Sequence, residues 1–166
     1  MPVTVPSGTM SPGCYLNDCT GWGAQKALDG VETGLKSLAH TSDGVNPYIT
    51  FNLGSVRSDL DAVRLLSRVD CCWARASNLN MYLTATPSFQ SSTPFAVGVG
   101  ANALAQTATV AVPDGLSGQY LTIQRNTSGT PDSINIQEFT VLASGMSCTC
   151  RSNVTQECAG TVGTAC

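Results

Sequence analysis

From Pro47 onward the apolar residues fall on alternate positions, the period of strands that bury one face. Ile49, Phe51 and Leu53 alternate with Tyr48, Thr50 and Asn52. Val63 and Leu65 alternate with Ala62, Arg64 and Leu66 and deliver the chain to Arg68. Leu79, Met81 and Leu83 repeat the pattern, as do Phe95, Val97 and Val99, then Ala108, Val110 and Val112. Leu121 and Ile123 follow the Asp114-Gly115 turn. Late in the chain Ile134 and Ile136 share one parity while Phe139 and Val141 share the other. A bulge near Gln137-Glu138 accounts for the slip and turns Glu138 to a new side. Short strands at regular spacing, separated by Gly/Pro turns, predict an all-β sandwich. Upstream, residues 6–24 are rich in Gly, Pro, Ser and Thr and read as loop. One or two helical turns are expected over residues 22–28, stopped by Asp29-Gly30.

Composition narrows the class. A chain of 166 residues is one domain's worth, long enough to bury a core. Only 11% of residues are charged and the net charge is −3, which argues against nucleic acid or an anionic membrane as partner. The chain lacks the apolar run of roughly 18 residues that a transmembrane helix needs. Met1-Pro2-Val3-Thr4-Val5 has neither the basic nor the apolar region of a signal peptide. Yet eight cysteines and N-x-S/T sequons at Asn126 and Asn153 point to an oxidising compartment. The two are reconciled by a secreted, extracellular protein met here as a mature fragment. Cys14 and Cys19 bracket a short segment and are expected to close it as a disulfide loop. After Ser144-Gly145 the chain holds Cys148, Cys150, Cys158 and Cys166 and almost no core former. Residues 146–166 therefore read as a disulfide-tied tail or the start of a following module, apart from the domain of residues 1–145. The paired spacings and histidine of a zinc site are absent there.

Candidate chemistry concentrates in Arg68-Val69-Asp70-Cys71-Cys72-Trp73-Ala74-Arg75, together with His40, the sole histidine. An arginine carries five donors in a fixed fork and no acceptor, so two of them converging on one spot want lone pairs. Asp70, two residues from Arg68, shares its face on an extended segment and can hold the guanidinium still. Hydroxyl and ring oxygens suit such a donor set, and so does a carboxylate or phosphate. For Cys71 and Cys72 two readings stand. Adjacent Cα atoms lie about 3.8 Å apart, below the usual disulfide range of roughly 4.4–6.8 Å, so a bond between them makes a strained, rigid ring. Alternatively the two thiols point to opposite sides of a strand and bridge elsewhere. A Cys–His nucleophile is a third use, abolished by a vicinal disulfide; no Ser/His/Asp order or paired carboxylates suggest another catalytic site.

His40 followed by Arg68-x-Asp70-Cys71-Cys72-x-x-Arg75 resembles the sugar-binding signature of the F-type lectins, or fucolectins. Lys26-Ala27-Leu28-Asp29-Gly30, Asn46-Pro47-Tyr48 and Gln137-Glu138 agree with the same family, over roughly residues 3–143. The resemblance implies a discoidin-like (galactose-binding-like) jelly-roll β-sandwich with binding loops at one end. It implies a non-catalytic lectin domain for L-fucose on fucosylated glycans or glycoproteins, with no membrane insertion. His40, Arg68 and Arg75 would bond the sugar, Asp70 would buttress Arg68, and a Cys71–Cys72 vicinal disulfide would pack on its apolar edge. Trp73 would stack on a second sugar or plug the core. Leu35 or Leu38 would cradle the methyl group, in a loop a few residues shorter than is usual, and Tyr15 or Leu16 lies on a loop that borders the sugar. A structural Ca²⁺ would be held by the carbonyls of Lys26, Val31 and Gln137 with Asp29, Ser37 and Glu138. Weak single-site binding would be raised by homo-oligomers or tandem domains. Two other readings share the sandwich: a lectin shifted to galactose-like sugars, and a discoidin-type adhesion domain that binds protein or lipid through apolar loops.

Overall fold

The expected alternation is realised as antiparallel strands in a computed structural model that describes residues 1–33 and 37–144. Leu35 and the segment 146–166 lie outside the described residues. The strands are β1 (Ser7–Ser11), β2 (Ala39–His40), β3 (Tyr48–Arg57), β4 (Leu60–Leu66) and β5 (Leu79–Thr84). They continue with β6 (Ala96–Val99), β7 (Thr107–Ala111), β8 (Gly118–Arg125), β9 (Asn135–Ile136) and β10 (Glu138–Ala143). A five-stranded sheet in the order β1-β3-β8-β5-β6 faces a three-stranded sheet in the order β10-β4-β7. The pair β2-β9 stands apart from both.

The inward residues of the two sheets make the core. Ile49, Phe51, Leu79, Met81, Leu121 and Ile123 come from the larger sheet, Val63, Leu65, Phe139 and Val141 from the smaller. Phe51 and Phe139 stack across the gap with ring centroids 4.1 Å apart and planes 10° from parallel. That contact joins the sheets directly, and burying two such rings contributes several kcal/mol.

Four expectations are refined. Residues 7–11, read as loop from their small polar composition, form β1 and pair with β3 in the register Thr9↔Thr50. Val97 is not inward: it is 68% exposed. Leu79 pairs with Val99 but Met81 with Ala96, so β6 carries one extra residue. Gly98, at φ +65°, absorbs this bulge, and the extra residue throws Val97 to the solvent side. The parity slip at Gln137 is a change of partner; the register shift of β10 lies further on, between Leu142 and Ala143. Ile136 still pairs with Ala39 of β2, whereas Glu138 already pairs with Leu66 of β4. Gln137 spans the switch, its N–H donating to the Leu66 carbonyl at 2.9 Å. The helical turns come slightly early, as an α-helix Cys19–Trp22 and a 3₁₀ turn Ala24–Ala27. Asp18 caps the former by accepting from the Gly21 N–H at 2.9 Å.

Arg75 rides on a second 3₁₀ turn, Trp73–Ala76, whose seat is set by Gly100. Gly100 has φ +135°, and a Cβ there would fall 2.2 Å from the Ala76 carbonyl oxygen. Its neighbour Ala101 donates to that same oxygen at 2.9 Å. Gly100→Ala is therefore expected to destabilise the chain by more than about 1 kcal/mol and to displace the turn that carries Arg75. Thermal unfolding of the variant checks this; an unchanged midpoint would refute the packing account.

Candidate binding site

His40 ends β2, with Asn135 of β9 as its register partner. Its ring is 4% exposed and has three neighbours. The Tyr15 ring stacks on it at 4.2 Å and 3°, and Trp22 presents an edge at 5.7 Å. Its Nε2 lies 3.3 Å from the Ser133 hydroxyl, while Nδ1 has no partner among the described residues. Tyr15 is delivered by the loop closed by the Cys14–Cys19 disulfide, which forms as expected. Burial, then the positive charges of Arg75 and Arg68, push the imidazole down to about 4, against an opposing pull from Asp43. Both arginines thus act on the ring through their charge. His40 is consequently neutral near pH 7, with one nitrogen a donor and the other an acceptor.

Each of the two arginines is held by a carboxylate. As the chain leaves β4, buried Ser67 anchors it: its hydroxyl donates to the Ala103 carbonyl and its N–H to that of Gln106. Arg68 then donates to Asp70 through Nε at 2.9 Å and Nη2 at 2.8 Å, the pairing expected, although it is made across a bend at residues 69–70 and not along an extended segment. That hydrogen-bonded pairing holds the Asp70 carboxyl below the usual carboxylate range. Arg75 pairs through Nε with Asp132 at 3.2 Å, and Asp132 also pairs with Nη1 of Arg125. Asp132, Arg125 and Ser133 were not singled out by the sequence. The available signal was that Asp132 and Arg125 are the sole acid and sole base between residues 116 and 137.

Between the arginines, Cys71 and Cys72 carry free thiols, so the vicinal disulfide implied by the resemblance is not formed. Cys72 sits at φ +56°, uncommon for a side chain with Cβ, and its carbonyl accepts from the Arg75 N–H at 3.0 Å. Its hydrogen bond to Cys71, together with burial, pushes the Cys71 thiol up, opposite to the shift of an activated nucleophile. Ser133, although beside His40, is fully buried and out of a substrate's reach. Trp73 is 36% exposed, half available as a stacking surface. Leu38 is fully buried and offers no surface to a ligand, which corrects its assignment as a methyl cradle. Tyr15 and Leu16 are the exposed apolar side chains of the disulfide loop.

The second set of oxygens lies where β10 begins. Asp29 accepts from the Val31 N–H at 3.0 Å and from the Ser37 hydroxyl at 2.5 Å, and Gly30 N–H donates to Glu138 at 3.2 Å. The Gln137 side-chain amide donates to the carbonyls of Val31, at 3.3 Å, and Ser37, at 2.8 Å, drawing those two oxygens together. Lys26 sits in the adjoining 3₁₀ turn. Burial and the charge of Asp29, with a smaller push from Glu32, raise the Glu138 carboxyl to about 7. Among the described residues no three His, Cys, Asp or Glu side chains form a metal-holding group. The donors here are instead two mutually repelling carboxylates, a hydroxyl and carbonyls, the hard-oxygen chemistry that suits calcium.

No protein-family model matches the chain, and no curated protein matches it. Solved structures do. A fucolectin from the serum of Morone saxatilis (striped bass) superposes with a TM-score of 0.69 at 22% identity, over 82% of this chain and 46% of that one. This chain thus spans about half of that protein's length. The lectin domain of lectinolysin, complexed with Lewis b antigen, matches at 0.64 and 23%, over 84% of this chain and 93% of that domain. A Streptococcus pneumoniae fucose-binding module matches at 0.65 and 20%, over 87% and 96%. The architecture is that of these proteins, a discoidin-like jelly-roll β-sandwich.

The downward shift of His40 fixes a pH dependence. The unfolded ring binds a proton near pH 6.5 and the folded one near 4, so its stabilising share is complete above pH 6.5 and is lost as pH falls toward 4. In full it amounts to about 3 kcal/mol. A His40→Gln variant should therefore lose less stability than the parent between pH 6.5 and 4.5, measured by denaturant unfolding. Parallel pH profiles would contradict the buried neutral ring.

Proposed function

We propose that this chain is a non-catalytic carbohydrate-binding domain for L-fucose at the ends of fucosylated glycans or glycoproteins. The observation that carries the reading is a buried, neutral His40 linked through Asp132-Ser133 to Arg75, with Arg68 held by Asp70 nearby in the chain: a set of oriented donors. The carboxylates offset part of the arginines' charge and fix their orientation, and the N–H groups left over suit the neutral hydroxyls and ring oxygen of a sugar. Asp70 engages Nε and Nη2 of Arg68, and Asp132 engages Nε of Arg75, so terminal N–H groups of both point elsewhere and supply the contacts. Imidazole adds a donor or acceptor for a hydroxyl. The likeness in fold to a fucolectin, a fucose-binding module and a Lewis b complex supports the choice of sugar.

In an oxidising, extracellular setting Cys71 and Cys72 would close into their rigid ring and pack on the sugar's apolar edge, with Trp73 beside it. Calcium would bind Asp29, Ser37 and Glu138 with the carbonyls of Lys26, Val31 and Gln137, relieving the repulsion that raises Glu138. One such site would bind weakly, so tandem or oligomeric copies would supply avidity. The domain itself holds no activated nucleophile among its described residues, whatever larger protein it serves.

Calorimetric titration should show saturable heat with L-fucose and none with D-glucose. Arg68→Ala and Arg75→Ala should each weaken binding at least about tenfold without unfolding the chain. Heat with D-galactose alone would favour the galactose-shifted lectin; none with either sugar or with fucosylated oligosaccharides would leave the adhesion reading. Excess chelator should lower the melting temperature, and Glu138→Gln should abolish that response; a chelator-insensitive parent would remove calcium from the account.

A further inference from the structure

We infer that Asp132 and Arg125 are the positioning residues of Arg75, and that the connection between β8 and β9 aligns it with His40. The inference rests on the sugar-binding reading above only for its functional consequence. Arg75 sits on a single turn of 3₁₀ helix that follows the left-handed Cys72, and its side chain is 33% exposed. Nothing in its own segment plays the part that Asp70 plays for Arg68. The carboxylate comes instead from Asp132, which the fold holds from every side. Asp132 exchanges both backbone hydrogen bonds with Gly44, at 2.8 and 3.0 Å. Its Oδ1 accepts from the Ser133 N–H at 2.8 Å and faces Arg75, while Oδ2 pairs with Arg125.

Arg125 is the buried partner, with a side chain 13% exposed against 33% for Arg75. Its Nη1 also donates to the Ser133 carbonyl at 2.9 Å, so one guanidinium fixes both the carboxylate and the backbone beside it. Two consequences follow. A carboxylate shared by two guanidiniums leaves Arg75 cationic enough to donate strongly, yet anchored through Nε with its terminal N–H groups turned to a ligand. Moreover, the next residue, Ser133, reaches His40 Nε2 at 3.3 Å. One dipeptide, Asp132-Ser133, thus sets the position of two donors that lie far apart in sequence. This makes the β8–β9 connection a determinant of which hydroxyls the site can span.

The test uses the whole chain and L-fucose as probe. Asp132→Asn keeps an oxygen for the Ser133 N–H but loses the ion pairs; it should weaken fucose binding by about tenfold or more. Arg125→Gln should do the same, while Arg125→Lys, which restores the charge, should recover part of the loss. The decisive comparison is a double-mutant cycle: with Arg75→Ala in place, Asp132→Asn should add almost nothing. A loss that adds in full, or wild-type affinity in Asp132→Asn, would overturn the inference. If the parent does not bind fucose, the sugar reading falls but the positioning claim is still read directly. In ¹⁵N-labelled protein the Arg75 Nε–H resonance should be sharp and slow to exchange, and should lose both properties in Asp132→Asn; no change there would sink the claim.

Discussion

Gathering two guanidiniums around an imidazole in a half-buried place is unfavourable unless each positive charge is met by a fixed negative one. Like charges repel more strongly as water is withdrawn, and a mobile arginine regains its freedom by swinging into solvent. In this chain both problems are solved with carboxylates, but in different ways. Arg68 takes Asp70 from its own segment, a local pairing that costs little ordering. Arg75 takes Asp132 from a connection between distant strands, so its placement depends on β8, β9 and the β2 strand that holds His40. The sandwich beneath, joined through Phe51 and Phe139, holds these loops in fixed relation.

Two titrating groups give the fold opposite responses to pH. His40 is kept neutral by burial and by neighbouring arginines, so acid works against the fold there. Glu138 is pressed toward its protonated form by burial and by Asp29, so in the absence of a cation alkali works against the fold there. Between about pH 4.5 and 6.5 the two slopes oppose each other. A cation beside Glu138 would remove one slope and leave the other.

The strands were legible because alternation is a direct record of one-sided burial, as at Ile49, Phe51 and Leu53 or Leu79, Met81 and Leu83. Arg68 and Asp70 were legible as a pair because they lie two residues apart, although a bend at residues 69–70, and not an extended run, brings them together. Asp132 was not, since its link to Arg75 exists only once β8 and β9 are in place. β1 was hidden because an edge strand of Ser, Gly and Thr carries little apolar signal. Val97 obeyed the alternation in sequence, yet the residue inserted at Gly98 reversed its direction. Leu38 was placed at a ligand by loop position alone, whereas packing claims it for the interior.

The first residues of the chain run alongside the last described strand. Met1 and Ala143 exchange hydrogen bonds, Val3 N–H donates to the Val141 carbonyl, and Pro2 bridges Leu142. Because Ala143 pairs with Leu60 while Glu138 pairs with Leu66, this meeting point lies at the end of β4 remote from Arg68. Residues 1–3 thereby cover part of the outer backbone edge of β10, and a strand edge so occupied is closed to pairing with another chain.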